Sequence, residues 1–301
     1  MKRSFTTFTQ VLGFCVAAVL SIGCGQHAEP LDRAGQIWAL YHGSPETVLV
    51  VAHRGAHRDV PENSLAAVDR AIEMGAHFVE VDVRQTKDGV FVVMHDRTLD
   101  RTTTGRGEVA EHTYAELQSL RLLHNGKPTE HTIPTMEEVL RYAKGRILVD
   151  IDFKAHGLQA RFDAFDEIER LEAEGSVVFF CYDYTELPVL HAYNPRIKIM
   201  PRAYDLVQLK HIVESGLTDI VHVDGSYYND EAIAKLIGDK PIRVWANVLG
   251  KHDQEAARLG ASAYRSFFRN MALVNVVQTD HPHLLSEFLE RAAEVAMTES
   301  P

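Results

Sequence analysis

Eight short apolar runs recur along the chain, and helical patterns separate them. The runs are Val48–Ala52, His77–Val83, Arg146–Asp152, Val177–Cys181, Arg196–Met200, Asp219–Val223, Ile242–Asn247 and Val274–Thr279. Each is rich in β-branched or aromatic residues and bounded by turn or charged residues, the composition of a buried strand. Between them, Leu65, Val68 and Ile72 fall at helical spacing after an Asn63 N-cap, with Gly75 as the stop. Thr135-Met136-Glu137-Glu138 is a capping box behind Pro134. Leu206, Leu209, Ile212 and Val213 form another stripe, and a last helix begins near Asp280. Strands that alternate with helices pair in parallel. Eight such units in 301 residues predict an α/β protein, a closed (β/α)8 barrel rather than an open doubly wound sheet. No Gly-x-Gly-x-x-Gly follows a strand, which disfavours a dinucleotide site.

A ninth run, Val90–Met94, follows its predecessor after only Arg84 to Gly89. That is too short for a parallel crossover, so the two runs form an antiparallel hairpin with Lys87-Asp88-Gly89 as the turn. Folded about Asp88, the hairpin sets His95 opposite Val81 and beside Asp82. It projects above the barrel rim. Residues 97–133 then make a polar insertion with a second capping box, Thr113-Tyr114-Ala115-Glu116. Over the active face of a barrel such an insertion serves as a lid or a substrate wall.

Lys2 and Arg3 precede an apolar run, Val11 to Leu20, that is short for a bilayer span and ordered like a secretory signal. Leu20-Ser21-Ile22-Gly23-Cys24 resembles a bacterial lipobox, with Ser21 where leucine is usual. The expectation is a signal peptide over 1–23, a tether and lead-in segment over 24–45 and one barrel domain over 46–301. The protein is expected to be exported, periplasmic or membrane-anchored as a bacterial lipoprotein, with acylated Cys24 as its one membrane attachment. Of three cysteines, Cys15 lies in the signal and Cys24 carries the lipid, which leaves Cys181 as a buried thiol and no disulfide framework. A net charge of −11 argues against a nucleic-acid partner. It does not argue against a small anionic substrate, because one arginine or metal ion outweighs a global field locally.

Glu80 and Asp82 stand two apart on a strand, so their carboxylates share one face. With His53 ending the neighbouring strand, they point to a hard divalent cation, and oxygen ligands suit Mg²⁺ or Ca²⁺. A third ligand is expected from the next strand. Asp152, nearer the strand end, is preferred, and Asp150 is the alternative. Lys154 on the same face can hold a phosphate oxygen or an acidic neighbour. His53 and His95 suit general acid–base work, because imidazole titrates near neutral pH. Arg54 can bind phosphate through a bidentate fork or form a salt bridge to Asp82 or Glu62. His42, His57, Arg58, His77, His124 and His131 read as surface or loop residues.

His53-Arg54-Gly55, Pro61-Glu62-Asn63, Glu80-Val81-Asp82-Val83, Thr86-Lys87-Asp88-Gly89 and His95-Asp96 together resemble the glycerophosphodiester phosphodiesterases. So do Leu99-Asp100-Arg101-Thr102-Thr103, Ile133-Pro134-Thr135, Val244-Trp245 and Thr279-Asp280-His281-Pro282. The resemblance runs from about residue 48 to 290. It implies a TIM barrel with an insertion, and hydrolysis of deacylated phospholipids to glycerol 3-phosphate and an alcohol. It implies one divalent metal on Glu80, Asp82 and Asp152, catalysis by His53 and His95, and phosphate binding by Arg54. Trp245 and Asn247, which end a strand, are candidates for the glycerol side, with core packing as the alternative for Trp245. Where many members carry Glu-x-Lys, this chain has Asp152-Phe153-Lys154, and the shorter acid shifts the metal or its preference. Two other readings use the same residues. One is a phospholipase-like phosphodiesterase acting on intact lipids. The other is a lipid-anchored protein that holds a phosphodiester without cutting it.

Overall fold

The computed structural model describes residues 31–224, 230–238, 240–271 and 273–298. The expected signal segment and Cys24 lie outside them. In chain order the strands are β1 (Leu49–Ala52), β2 (Phe78–Gln85), β3 (Phe91–Val93), β4 (Leu123–His124), β5 (Lys127–Pro128), β6 (Leu148–Phe153), β7 (Val177–Cys181), β8 (Lys198–Ala203), β9 (Ile220–Val223), β10 (Arg243–Asn247) and β11 (Val276–Thr279). β1, β2 and β6 to β11 pair in parallel as neighbours, and β1 closes the ring by pairing with both β2 and β11. The result is the closed eight-stranded barrel. Its strands are covered on both faces, which is why they read as continuous apolar runs rather than alternating ones.

β3 returns antiparallel along β2 with Val83 opposite Val93, Arg84 opposite Val92 and Gln85 opposite Phe91. This is the register obtained by folding about Asp88, and Met94 N–H donates to Asp82 O at 2.9 Å. The insertion that follows is not simply polar. Val92, Met94, Leu99, Val109, Leu117, Leu122 and Ile133 bury one another in a small core of their own. The short helix Tyr114–Leu117 carries the expected capping box from Thr113 and Glu116.

The lead-in segment folds as a helix, Arg33–Tyr41, that plugs the floor of the barrel. Its Ala34, Ile37 and Tyr41 pack with interior residues such as Phe78, Leu148, Met200 and Val276. The Arg243 guanidinium takes up carbonyls at the end of that helix, donating to Leu40, Tyr41, Ser44 and Thr47. Leu40 and Tyr41 close the helix and Ser44 and Thr47 follow it, so the arginine ties the helix end and the next turn to β10. Cys181 is a buried free thiol, pushed up to about 12 by burial.

One cap differs from expectation. Ser64, not Asn63, caps the helix Leu65–Glu73, its Oγ accepting from Ala67 N–H at 3.1 Å. Asn63 takes a left-handed backbone (φ 56°) and turns its side chain into the barrel mouth. The Thr135 capping box opens the helix Met136–Ala143 as expected.

Candidate active site

The chain turns sharply as it leaves β1. Arg54 and Gly55 both have positive φ, at 52° and 76°. A Cβ on Gly55 would lie 2.6 Å from the Cβ of Ala67, so only glycine fits there. The turn aims Arg54 N–H at Glu80 Oε2, 2.7 Å away, and leaves His53 on the rim. Because β1 and β11 are neighbours, His53 meets Asp280, the residue after β11. His53 Nδ1 lies 2.7 Å from Asp280 Oδ1. A carboxylate only accepts, so Nδ1 carries a proton, and in the neutral ring Nε2 then holds the lone pair, 4.0 Å from Glu80 Oε2. Asp280 is itself held: its N–H donates to Asp253 Oδ2 at 2.7 Å, and Asp253 Oδ1 accepts from Tyr264 and Thr279. Burial pushes the Asp280 carboxyl up, but the histidines His53, His57 and His281 bring it below the ordinary range.

β2 and β6 run in register, with Glu80 beside Asp150 and Asp82 beside Asp152. Glu80, Asp82 and Asp152 each offer an oxygen within 4.8 Å of the others. Asp150 is one pair deeper and outside that group, so Asp152 is the member the geometry selects. Asn63 Nδ2 donates to Asp82 Oδ2 at 2.8 Å, while its Oδ1 accepts from Asp82 N–H at 3.2 Å. Lys154 Nζ lies 2.6 Å from Asp152 Oδ2, 3.3 Å from Asp82 Oδ1 and 2.6 Å from the Tyr182 hydroxyl.

The donor set fits a hard cation. Burial, and then repulsion from Asp82, Asp152 and Asp150, push Glu80 well above the ordinary carboxylate range. Burial also raises Asp150 and Asp152, the latter despite Lys154. Asp150 Oδ1 and Asp152 Oδ1 are buried with no hydrogen-bond partner. Buried carboxylates normally find partners, and a divalent ion would supply one while cancelling the repulsion.

His95 reaches the same mouth from the hairpin. Its Nδ1 is 2.6 Å from Asp96 Oδ1, and Arg84 donates to its carbonyl. Each candidate histidine thus has a carboxylate behind Nδ1, and both line one pocket with the three acids and Lys154. The far wall of that pocket is Phe180, Tyr182, Arg202, His222, Asn247 and Gln278. Arg202 is paired with Asp224, and burial lowers His222 to about 4, so this wall is polar but nearly neutral.

Other sequence expectations fare differently. Arg54 is engaged by acids, with Nη1 2.9 Å from Glu62 Oε1 and Nε 3.4 Å from Asp82 Oδ2. Trp245 is not in the pocket wall. It is fully buried against Phe78, and its indole N–H faces Gln278 and Asn247. A strand-end position alone did not tell its inward layer from the mouth. His57 is not a bystander: its ring packs near His53, with Nδ1 2.9 Å from His53 O. His77 lies in the turn before β2, as expected, but it is not idle: its Nδ1 accepts from Val50 N–H at 3.0 Å. Asn63, expected as an N-cap, and Asp280, expected only as the start of the last helix, both belong to the mouth. For Asp280 the available signal was the same as for His53, a polar residue directly beyond a barrel strand.

Residues 53–225 match the model of the glycerophosphoryl diester phosphodiesterase family, more than half of the 301-residue chain. The chain belongs to that family. It is 36% identical over 159 residues to a glycerophosphodiester phosphodiesterase of Caldanaerobacter subterraneus subsp. tengcongensis, covering 50% of this chain and 65% of that relative. The enzyme of that name from Bacillus altitudinis is 29% identical over 205 residues, 64% of this chain and 83% of the relative. The chain thus spans just under two thirds of the first relative and more of the second. Among solved structures, a glycerophosphoryl diester phosphodiesterase from Parabacteroides distasonis superposes with a TM-score of 0.74 at 24% identity, covering 86% of this chain and 92% of that one. A phosphodiesterase from Oleispira antarctica, solved in complex with the product sn-glycerol-3-phosphate, gives 0.66 at 21% identity, with 80% and 96% covered. These likenesses establish the family barrel.

Proposed function

We propose that this family member hydrolyses glycerophosphodiesters to glycerol 3-phosphate and an alcohol with the help of one divalent metal. The observation that carries the reading is the cluster of Glu80, Asp82 and Asp152 within 4.8 Å, flanked by two histidines that each have a carboxylate behind Nδ1. A cation on the three acids, Mg²⁺ or Ca²⁺ by the hardness of its ligands, supplies positive charge to the phosphodiester. Lys154 and Arg54 add fixed charge beside it. His53, with Nδ1–H anchored on Asp280, keeps Nε2 free to take a proton from the nucleophile. His95, anchored on Asp96, is assigned the proton for the leaving alcohol. The polar far wall of Arg202, His222, Asn247 and Gln278 favours a deacylated substrate over an intact lipid. We further propose export through residues 1–23 and a lipid anchor on Cys24, which hold the barrel at a membrane where such substrates arise.

Glycerol 3-phosphate release from glycerophosphocholine by the purified protein tests the activity. Release with Mg²⁺ or Ca²⁺ and none in chelator is expected. His53→Ala and His95→Ala should each lose about 10²–10⁴-fold in turnover while still binding the metal. No release with any divalent metal overturns the reading in favour of a non-catalytic binder.

A further inference from the structure

Arg101 belongs to the insertion, and its guanidinium meets two carboxylates at once. Nη1 and Nη2 donate to Glu62 Oε2 and Oε1, both at 2.8 Å. Nε and Nη2 donate to Asp96 Oδ2 and Oδ1 at 2.6 and 2.9 Å. Each carboxylate holds a residue of the mouth on its other side. Glu62 Oε1 also accepts from Arg54 Nη1 at 2.9 Å, and Asp96 Oδ1 lies 2.6 Å from His95 Nδ1. One planar fork therefore joins two arms that touch nowhere else in this network.

We infer that Arg101 is a positioning residue, which fixes Asp96 and Glu62 and through them sets His95 and Arg54 in one frame around the phosphodiester. The inference rests on the phosphodiesterase reading above. Only a guanidinium has the geometry, because a lysine offers a point charge and cannot bridge both carboxylates with paired bonds. The side chain is 48% exposed, so solvent screens part of what its ion pairs add to stability. The insertion is pinned by other means. Thr103 Oγ1 donates to Leu99 O at 2.7 Å, Thr102 Oγ1 lies 3.2 Å from Met94 Sδ, and Leu99 and Met94 sit in the insertion core. The insertion therefore keeps its own core without the fork, and what the fork alone supplies is orientation. Its charge also matters to Glu62: burial pushes that carboxyl up, yet Arg101 and Arg54 bring it down to about 2. The group stays anionic and keeps its hold on Arg54.

A double-mutant cycle on the full chain with Mg²⁺ and glycerophosphocholine tests this. Asp96→Asn should lower kcat, and Glu62→Gln should chiefly raise KM. Arg101→Ala should do both, with kcat down about 10²-fold, the scale of a misplacement of about one ångström, and with the chain still folded at the assay temperature. Combined with Asp96→Asn, it should add less than about threefold to the kcat loss, because both changes cut the same arm. Arg101→Lys, which keeps the charge and loses the fork, carries the same cycle should the alanine variant not fold. Additive losses in the cycle overturn the inference, as does an Arg101→Ala enzyme within about twofold of an active wild type. A wild type that releases no glycerol 3-phosphate overturns the activity, and the inference with it.

Discussion

Replacing Glu80 with Gln takes one charge out of the carboxylate cluster and asks whether the cluster is built for a cation. Burial and the neighbouring acids already push Glu80 well above its ordinary value of 4.5. Two unit charges at the outer limit of the cluster, 4.8 Å, repel by about 3.5 kcal/mol at an effective dielectric of about 20. Gln keeps the carbonyl that Arg54 N–H uses, now Glu80 Oε2 at 2.7 Å. With metal chelated, Glu80→Gln is therefore expected to be more stable than the wild type, by about 1–3 kcal/mol. For a domain of this size each kcal/mol moves the melting temperature by about 2–4 °C. The sign of the pH dependence follows from the raised value. Below the ordinary carboxylate range both states are protonated and there is no penalty. As pH rises the unfolded chain ionises first, and the folded wild type loses ground. The advantage of the variant should therefore vanish below pH 4.5, grow as pH rises above it, and be present in a second melt at neutral pH. Excess Mg²⁺ or Ca²⁺ should reverse the order, because a ligand at a hundredfold its Kd stabilises the native state by about 2.7 kcal/mol and the variant binds it poorly. Calorimetric melts at the two pH values, in chelator and in metal, read all of this. A Glu80→Gln protein that melts below the wild type in chelator at the higher pH refutes the argument. So does one that gains as much from the metal.

Asp280→Asn keeps the shape behind His53 but can present an amide N–H to Nδ1, which reverses the tautomer. Steady-state kinetics should find kcat down about 10²-fold or more, and an unimpaired enzyme would detach Asp280 from the site. Burial lowers His77 from 6.5 to about 4, and Val50 N–H needs its Nδ1 unprotonated. A histidine of this kind costs nothing above 6.5, and its stabilising effect is lost as pH falls from there towards 4, by up to about 3 kcal/mol. NMR titration of its imidazole in the folded protein should find no protonation above pH 6, and protonation there sinks the reading. Trp245→Phe forfeits the indole N–H contacts to Gln278 and Asn247, at 3.2 and 3.3 Å. It should cost about 1–3 kcal/mol in denaturant unfolding and leave KM within about threefold. A larger KM change with unchanged stability would return Trp245 to the substrate wall.

The barrel was readable because burial on both faces writes a strand as an unbroken apolar run, and because the loop before β3 is too short for anything but a hairpin. That single constraint carries His95, thirteen positions along the chain from Asp82, into the pocket that Asp82 lines. The acids were readable for a related reason: Glu80 with Asp82, and Asp150 with Asp152, show the two-residue repeat of one strand face. What joins strand ends across the ring left no such mark. Asp280 comes to His53 only because β11 closes on β1, and closure is a property of the whole ring. The insertion core escaped because Leu99, Val109, Leu117 and Leu122 follow no period, and they meet through turns rather than through one element. Arg101 is the sharpest case. Its two carboxylates come from a loop after β1 and from the end of the hairpin, so its role exists only once both are in place. Local pattern reveals which residues can do chemistry, whereas the residues that aim them are found by following each carboxylate to its second partner.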